Sequence, residues 1–154
     1  MFFKNLFGKK TNNTKDWNIT DQWLILDGEN AGYPMIIRLN TGVKEIVGHP
    51  LFPYRIGIAI PLKHPQENGL PIHEEQQYFY QIEEEIYNLF QNNDEAFVCI
   101  LITTSNFKEY VMYSKTNQKI KQKIHALKSK FPEYDFQHYV QKDKNWDMYK
   151  NIDK

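Results

Sequence analysis

The alternation of apolar and polar residues predicts a β-hairpin at the start of the folded chain. The stretch DQWLILDGENAGYPMIIRLN predicts two strands, 23–27 and 35–40, joined by the connection Gly-Glu-Asn-Ala-Gly. The glycines and prolines of TGVKEIVGHPLFP then indicate a loop. In YRIGIAIPLK, isoleucines occupy one face of a strand, while Gly57 and Ala59 lie on the other. Such a small-residue face favours the close approach of another element.

Two amphipathic helices and three further strands follow this strand. Apolar residues at helical spacing predict one helix over 74–91 and a second helix that ends before Pro132. The continuous apolar run AFVCILITT predicts a strand buried on both faces, KEYVMYS is its predicted hairpin partner, and YDFQHYVQ is the final predicted strand. Asp143 is expected to cap one last helical turn that carries Trp146 and Tyr149.

This order of elements predicts the α+β class. From YRIGIAI onward the order is β-α-β-β-α-β, which is typical of ferredoxin-like folds with two helices on one face of a mainly antiparallel sheet. We therefore predict an N-terminal β-hairpin followed by a ferredoxin-like βαββαβ unit. In the usual strand order of that fold, AFVCILI would lie at an edge. Either the N-terminal hairpin or another subunit must then cover it, and a homodimer through an edge strand is one such arrangement.

The length of 154 residues predicts a single α+β domain, which we place at residues 16–154. Residues 1–15, MFFKNLFGKKTNNTK, are expected to form a flexible N-terminal tail. The alternative is a weak anchor to a membrane surface or a partner, because the apolar residues of this tail share one helical stripe. A signal peptide is not predicted, since Lys4 interrupts a short apolar part. No apolar run in the sequence approaches the ~20 residues that span a bilayer.

The charged residues bear on two questions, nucleic-acid binding and the contact between the two helices. The chain has 19 basic and 19 acidic residues and so lacks the basic excess of most nucleic-acid binders. Residues 74–95 carry acids and no base, whereas residues 115–130 carry lysines and no acid. Because the two predicted helices lie side by side, these charges are expected to complement each other across the seam. The alternative is that lysines such as Lys119 and Lys123 bind an acidic partner or RNA.

The sequence contains no motif that announces catalysis or a cofactor. It has no glycine-rich phosphate-binding motif, and its histidines are dispersed. Cys99 is the single cysteine, and its place in an apolar strand favours core packing in a reducing cytoplasm. Glu83, Glu84 and Glu85 point in different directions on a helix, so we expect a solvated helix face. We therefore predict no catalytic residue, no cofactor and no metal site.

The closing segment HYVQKDKNWDMYKN places two large rings near the end of the chain. Trp146 and Tyr149, at i and i+3, share one side of a helix. We expect them to complete the core. The alternative is that they contact a partner, since Trp and Tyr are common interface anchors.

Several of these stretches together resemble a known family. They are the Trp-led hairpin, NGLP before an acidic helix containing QIEEEIY, the apolar hairpin ending in YVMYS, and the terminal DKNWDMY. Over about residues 17–151 the chain resembles the bacterial family called domain of unknown function 695. That family has no established catalytic residues, so the resemblance implies none here.

The second half of the chain is also similar to the group that includes regulator of ribonuclease E activity B, a protein inhibitor of an RNA-degrading enzyme. This resemblance implies binding and regulation. That regulator is strongly acidic whereas this chain has no net charge, so the resemblance does not extend to the same partner.

The leading hypothesis is a non-catalytic cytoplasmic module that binds another protein, as a regulator or as an immunity-type inhibitor of a toxin. One alternative is an enzyme or small-ligand binder whose site is assembled from residues far apart in sequence. The other is an RNA-binding domain that uses the lysine-rich second helix. A deep pocket would favour the second hypothesis, and a steep salt dependence of RNA affinity would favour the third.

Overall fold

The computed structural model describes residues 17–154, which form one six-stranded sheet with helices on both faces. The strands are Trp23–Asn30 (β1), Tyr33–Asn40 (β2), Tyr54–Pro61 (β3), Ala96–Thr104 (β4), Phe107–Ser114 (β5) and Gln137–Lys142 (β6). The α-helices are His73–Phe90 (α1), Ile120–Lys130 (α2) and Asp147–Ile152 (α3), and short 3-10 helices cover Thr41–Ile46 and Asn92–Asp94. The predicted N-terminal tail, residues 1–15, lies outside the described residues.

The strand order is β1-β2-β4-β5-β3-β6, and every neighbouring pair is antiparallel. The last four strands take the order of a ferredoxin-like unit. The hairpin then extends the sheet, because Met35–Leu39 of β2 pairs with Ile100–Thr104 of β4. This pairing makes β4 an interior strand and accounts for its burial on both faces. The predicted α+β class, with a hairpin in front of a βαββαβ unit, is confirmed.

Helices α1 and α2 cover one face of the sheet, which we call the helix face. The spacing of apolar residues that predicted α1 places Phe79, Ile82 and Ile86 in this core. They pack with Ile56 and Ile58 of β3. The apolar faces predicted for the helix and for this strand therefore form one core.

The opposite face of the sheet carries a second core that the sequence did not predict. The segment predicted as a loop contains the 3-10 helix Thr41–Ile46, in which Val43 and Ile46 are fully buried. With three residues per turn, positions i and i+3 of a 3-10 helix lie on one side, so both side chains reach the sheet. The rest of this core includes Trp17, Ile19, Leu39, Phe52, Phe97, Val111, Tyr113, Trp146 and Tyr149.

Two predicted boundaries were wrong. The first hairpin has a two-residue turn at Ala31 and Gly32 instead of a five-residue connection. Both turn residues have positive φ, 52° and 88°, which matches the twist of a tight hairpin and allows pairing through Asn30 and Tyr33. The last strand starts at Gln137, because a turn occupies residues 132–134 and pairing with β3 begins only at Gln137.

Candidate functional site

The rings of Trp146 and Tyr149 lie in the core. Both side chains are buried, and the indole N–H of Trp146 donates to the carbonyl of Phe52 at 2.9 Å. The hydroxyl of Tyr149 donates to the carbonyl of Asn40 at 2.7 Å. Asp143 caps the turn as expected, accepting from the first backbone N–H groups of α3. Both rings are therefore part of the core, and neither has surface that a partner could reach.

Two lysines of α2 form ion pairs with acids of the segment 74–95, one within α1 and one after it. Lys123 Nζ lies 3.0 Å from Glu95, and Lys130 Nζ lies 2.8 Å from Glu85. Lys123 is therefore engaged within the chain. Lys119 is exposed just before α2, with a φ of 65°. Of the two lysines predicted as possible partner contacts, Lys119 is exposed and forms no ion pair within residues 17–154.

The expectation of a solvated face for the three consecutive glutamates was wrong at its first position. Glu83 lies four residues after Phe79, on the apolar side of α1, and it is buried. Glu84 is exposed, and Glu85 forms the ion pair with Lys130. The three side chains thus occupy different environments, as their separate directions on a helix require.

A cleft of about 530 Å³ lies beside Glu83, where the N-terminal half of α1 meets the hairpin. Its floor is a row of neighbouring residues on the helix face of the sheet, formed by Ile36, Thr103 and Lys108 of three adjacent strands. The walls come from the loop before α1 and from α1 itself. The remaining lining residues are Ile25, Arg38, Gln66, Leu70, Pro71, His73, Gln76 and Tyr80.

Lys108 is the unusual residue of this floor. Its side chain is buried at 4% exposure, and its ammonium lies 5.6 Å from the centre of the Phe79 ring. Within residues 17–154, no hydrogen bond or ion pair to this ammonium is found. Burial lowers the pKa of Lys108 to about 8, although the negative charge of Glu83 acts in the opposite direction.

Arg38 and Glu83 form a bidentate pair at the side of the cleft. The two N–O distances are 3.2 and 3.4 Å. The guanidinium also lies 5.2 Å from the centre of the Trp23 ring, which fixes its orientation. Burial alone would lower the pKa of Arg38, but the charge and hydrogen bonds of Glu83 raise it overall. The guanidinium thus faces a carboxylate through both of its nitrogens, and the two charges of the pair cancel.

A second depression of about 510 Å³ lies near Glu75 at the start of α1. The Glu75 carboxylate is buried and accepts from the backbone N–H groups of Lys63 and His64, at 2.6 and 2.9 Å. It also accepts from the hydroxyl of Tyr134 at 2.7 Å. These three donors occupy the carboxylate, so Glu75 ties the loop to the helix.

The remaining reactive groups are held in structural positions. The thiol of Cys99 is fully buried, donates to the carbonyl of Phe97 at 3.1 Å, and has its pKa raised by burial. Across the described part of the chain, no three His, Cys, Asp or Glu side chains gather as metal ligands. None of the helices within residues 17–154 is long and apolar enough to cross a membrane.

Comparison with known proteins places the chain in a family. A family model described as a family of unknown function, DUF695, matches residues 21–152. The chain belongs to the DUF695 family. No curated protein and no solved structure matches it.

In this DUF695 chain, sequence reasoning missed the cleft and its lysine. Its lining residues range from Ile25 to Lys108, so no local motif marks the site. One signal was available. In the strand FKEYVMYS, alternation places Lys108 on the same face as Tyr110 and Met112, which are core residues. A lysine on the apolar face of a strand is rare unless it is paired, and it indicates a site.

Proposed function

We propose that this protein is a non-catalytic cytoplasmic module that regulates or inhibits another protein by binding it. We further propose that the outer edge of β1 pairs with an extended segment of that partner. The observation that carries this proposal is the exposure of the edge: Leu24 and Ile25 are 45% and 67% exposed on opposite faces of β1. The regulatory part rests on the resemblance, inferred from the sequence, of the second half of the chain to a group that contains an enzyme inhibitor.

The composition of β1 favours strand pairing. Its eight residues, WLILDGEN, contain no lysine and no proline, which are common devices against edge-to-edge association. No strand within residues 17–154 covers its outer edge. The opposite edge strand, β6, is shorter and ends in Lys142. Addition of a strand to an exposed sheet edge is a recurring mode of peptide recognition, with backbone hydrogen bonds that supply affinity.

The charges of β1 favour a different chain over a second copy. Asp27 and Glu29 are the charged residues of β1. Pairing two copies would bring these acids toward each other, and like charges on paired strands are destabilising. A partner segment with apolar residues opposite Leu24 and a basic residue opposite Asp27 would avoid this repulsion.

Three buried acidic or thiol side chains that could act in catalysis are instead hydrogen-bonded within the fold, which supports a non-catalytic role. Asp143, Glu75 and Cys99 are each held by partners that stabilise the fold. The buried single cysteine agrees with the proposed cytoplasmic location, where thiols stay reduced.

The test compares binding by two edge variants. Leu24→Lys puts a charge on β1 on the face away from the cleft, and Val140→Lys makes the matched change on the exposed part of β6. A protein retained from native cell extract by the wild type and by Val140→Lys should be lost with Leu24→Lys. Hydrogen exchange of the purified complex should then show protection of β1 amides.

Retention of the same protein by Leu24→Lys would contradict the proposal, as would a complex without new protection in β1. Sedimentation of the isolated protein separates the alternative. A dimer that Leu24→Lys converts to monomers would assign the edge to a second copy of this chain.

A further inference from the structure

Lys108 carries a positive charge that nothing in residues 17–154 compensates by direct contact. It is buried, it lines the cleft between α1 and the hairpin, and its ammonium has neither a hydrogen bond nor an ion pair there. A lysine with so little exposed surface is costly unless an acceptor reaches its ammonium, and the cleft is where an acceptor can enter. We propose that this cleft is a binding site for a carboxylate attached to an apolar group, with Lys108 as the counter-ion of the carboxylate.

The charge balance of the cleft favours a monoanion. Arg38 and Glu83 contact each other through both nitrogens and both oxygens, so this pair contributes no net charge. Lys108 is then the single uncompensated charge among the three. One carboxylate neutralises it, whereas a phosphate dianion would introduce an excess negative charge close to Glu83.

The remaining walls favour an apolar group next to the carboxylate. Apolar surface comes from Ile25, Ile36, Leu70 and Tyr80, and Thr103 is paired with Lys108 on neighbouring strands. A volume of about 530 Å³ falls in the range of small-molecule pockets and also accommodates one amino-acid side chain. The site therefore fits a short aliphatic or aromatic acid better than an inorganic anion.

Two sources supply this chemistry, a free organic acid and an acidic side chain in a bound polypeptide. The site does not depend on the strand pairing proposed above, because its residues lie within one chain. The test uses both sources on the isolated protein, so that its outcome is separate from any partner experiment.

The first probe is benzoate, with benzamide as its uncharged counterpart. Binding is followed by NMR of protein with ¹³C-labelled lysines, in which the side-chain methylene signals of Lys108 report on its ammonium. Benzoate at millimolar concentration should shift these signals and raise the pKa of Lys108, while benzamide should do neither. Arg38, Glu83, His73 and Tyr80 are the other ionisable groups around the cleft, and a parallel titration of uniformly ¹³C-labelled protein follows their signals.

The variants are Lys108→Met and, as the matched control, Lys128→Met at an exposed position of α2. Loss of the charged partner should weaken benzoate binding about tenfold or more, whereas the control should bind like the wild type. Because the pKa of Lys108 is measured in the unaltered protein, the proposal remains testable even if a variant misfolds. Equal binding of benzamide, unchanged affinity in Lys108→Met, or an unaltered Lys108 pKa in saturating benzoate would overturn it.

A short peptide with one glutamate between valines, and the same peptide with glutamine, distinguish the two sources. Tighter binding of the glutamate peptide than of benzoate, lost in Lys108→Met, would assign the site to an acidic side chain. Binding of benzoate with no difference between the peptides would assign it to a free acid. Failure of both acids to bind would overturn the proposal without affecting the test of the β1 edge.

Discussion

The indole of Trp146 lies flat on the phenol ring of Tyr113, with ring centres 3.9 Å apart and ring planes 8° apart. Tyr113 belongs to β5, so this stack attaches the end of the chain to the middle of the sheet. The hydroxyl of Tyr113 also donates to Asp143 at 2.7 Å, and Asp143 caps the turn that carries Trp146. Together these contacts make the C-terminal segment a structural part of the second core.

The first prediction concerns the indole itself. Trp146→Ala should lower the free energy of unfolding by about 3–5 kcal/mol, because it removes a fully buried ring and leaves a cavity. Urea unfolding measures the change. Leu51→Ala, at an exposed apolar position, is the control and should change stability by about 0.5 kcal/mol or less. An unchanged stability of Trp146→Ala would mean that the ring is exposed in solution.

The second prediction concerns the carboxylate beneath this stack. Burial alone would raise the pKa of Asp143, but hydrogen bonds from Tyr113, from two backbone N–H groups and from Arg55 hold it below its ordinary value. Asp143→Asn removes the negative charge beside Arg55 and leaves Arg55 its hydrogen bond to Gln141, so in this partly buried pair the change should cost about 1–3 kcal/mol near neutral pH.

The pH dependence of this effect has a defined sign. A lowered carboxyl pKa contributes stability above the unfolded value, about 4, and that contribution is lost as the pH falls through the folded value. The stability difference between wild type and Asp143→Asn should therefore shrink below about pH 4. Asp135→Asn, at an exposed site, is the control. A difference that stays constant down to acidic pH would show that the charge of Asp143 does not contribute.

The third prediction concerns the small-residue face of β3. The sequence predicted the close approach of another element there, and the ring of Tyr139 on the neighbouring strand β6 lies over Gly57. A Cβ at Gly57 would overlap that ring and lie 2.7 Å from its hydroxyl oxygen. Gly57→Ala should therefore cost about 1–3 kcal/mol, as the ring turns away and loses its hydrogen bond to Glu109.

A double-mutant cycle isolates the cause of this cost. In a Tyr139→Ala background, Gly57→Ala should be nearly neutral or slightly stabilising, because alanine restricts the unfolded chain. An equal cost in both backgrounds would place the strain in the backbone of β3 instead of the ring.

Much of the scaffold could be predicted because its elements carry strong periodic signals. Phe79, Ile82 and Ile86 mark one side of α1, and the unbroken run of β4 marks an interior strand. A ferredoxin-like order would place the apolar strand β4 at an edge of the sheet. This conflict indicated that either the N-terminal hairpin or another subunit pairs with it. Pairing of β2 with β4 resolves that conflict.

The second core could not be predicted because its signals are short and dispersed. Val43 and Ile46 are the two apolar residues of a six-residue 3-10 helix, in a stretch that also contains two glycines and two prolines. They are buried because Phe97 and Trp146, which are distant in sequence, belong to the same core on this sheet face. Tertiary packing decides the structure of such a segment, and local propensity does not.

The cleft could not be predicted from the sequence for a related reason. The run of glutamates in α1 suggested a solvated surface, yet Glu83 is drawn inward by Arg38, a residue 45 positions earlier in the chain. The register of β2, β4 and β5, together with the packing of α1 on the sheet, brings Arg38, Glu83 and Lys108 to one place. Strand alternation could indicate that Lys108 faces inward, but not which groups surround it.

The last prediction follows from the burial of this lysine. Lys108→Met should make the protein more stable near neutral pH, because methionine fills a similar volume without burying a charge. The pKa of Lys108 is lowered from 10.5 to about 8 in the folded protein, which corresponds to roughly 3 kcal/mol of destabilisation. Between these two values the unfolded state binds more protons, so the stability of the wild type rises with pH there.

The advantage of Lys108→Met should therefore be largest below about pH 8 and should shrink toward pH 10.5. Urea unfolding at several pH values measures it, with the exposed Lys128→Met as the control. A destabilised Lys108→Met, or an advantage that does not change with pH, would mean that the chain already compensates this charge. Stability gained together with loss of carboxylate binding is the trade-off expected when a residue serves a ligand and not the fold.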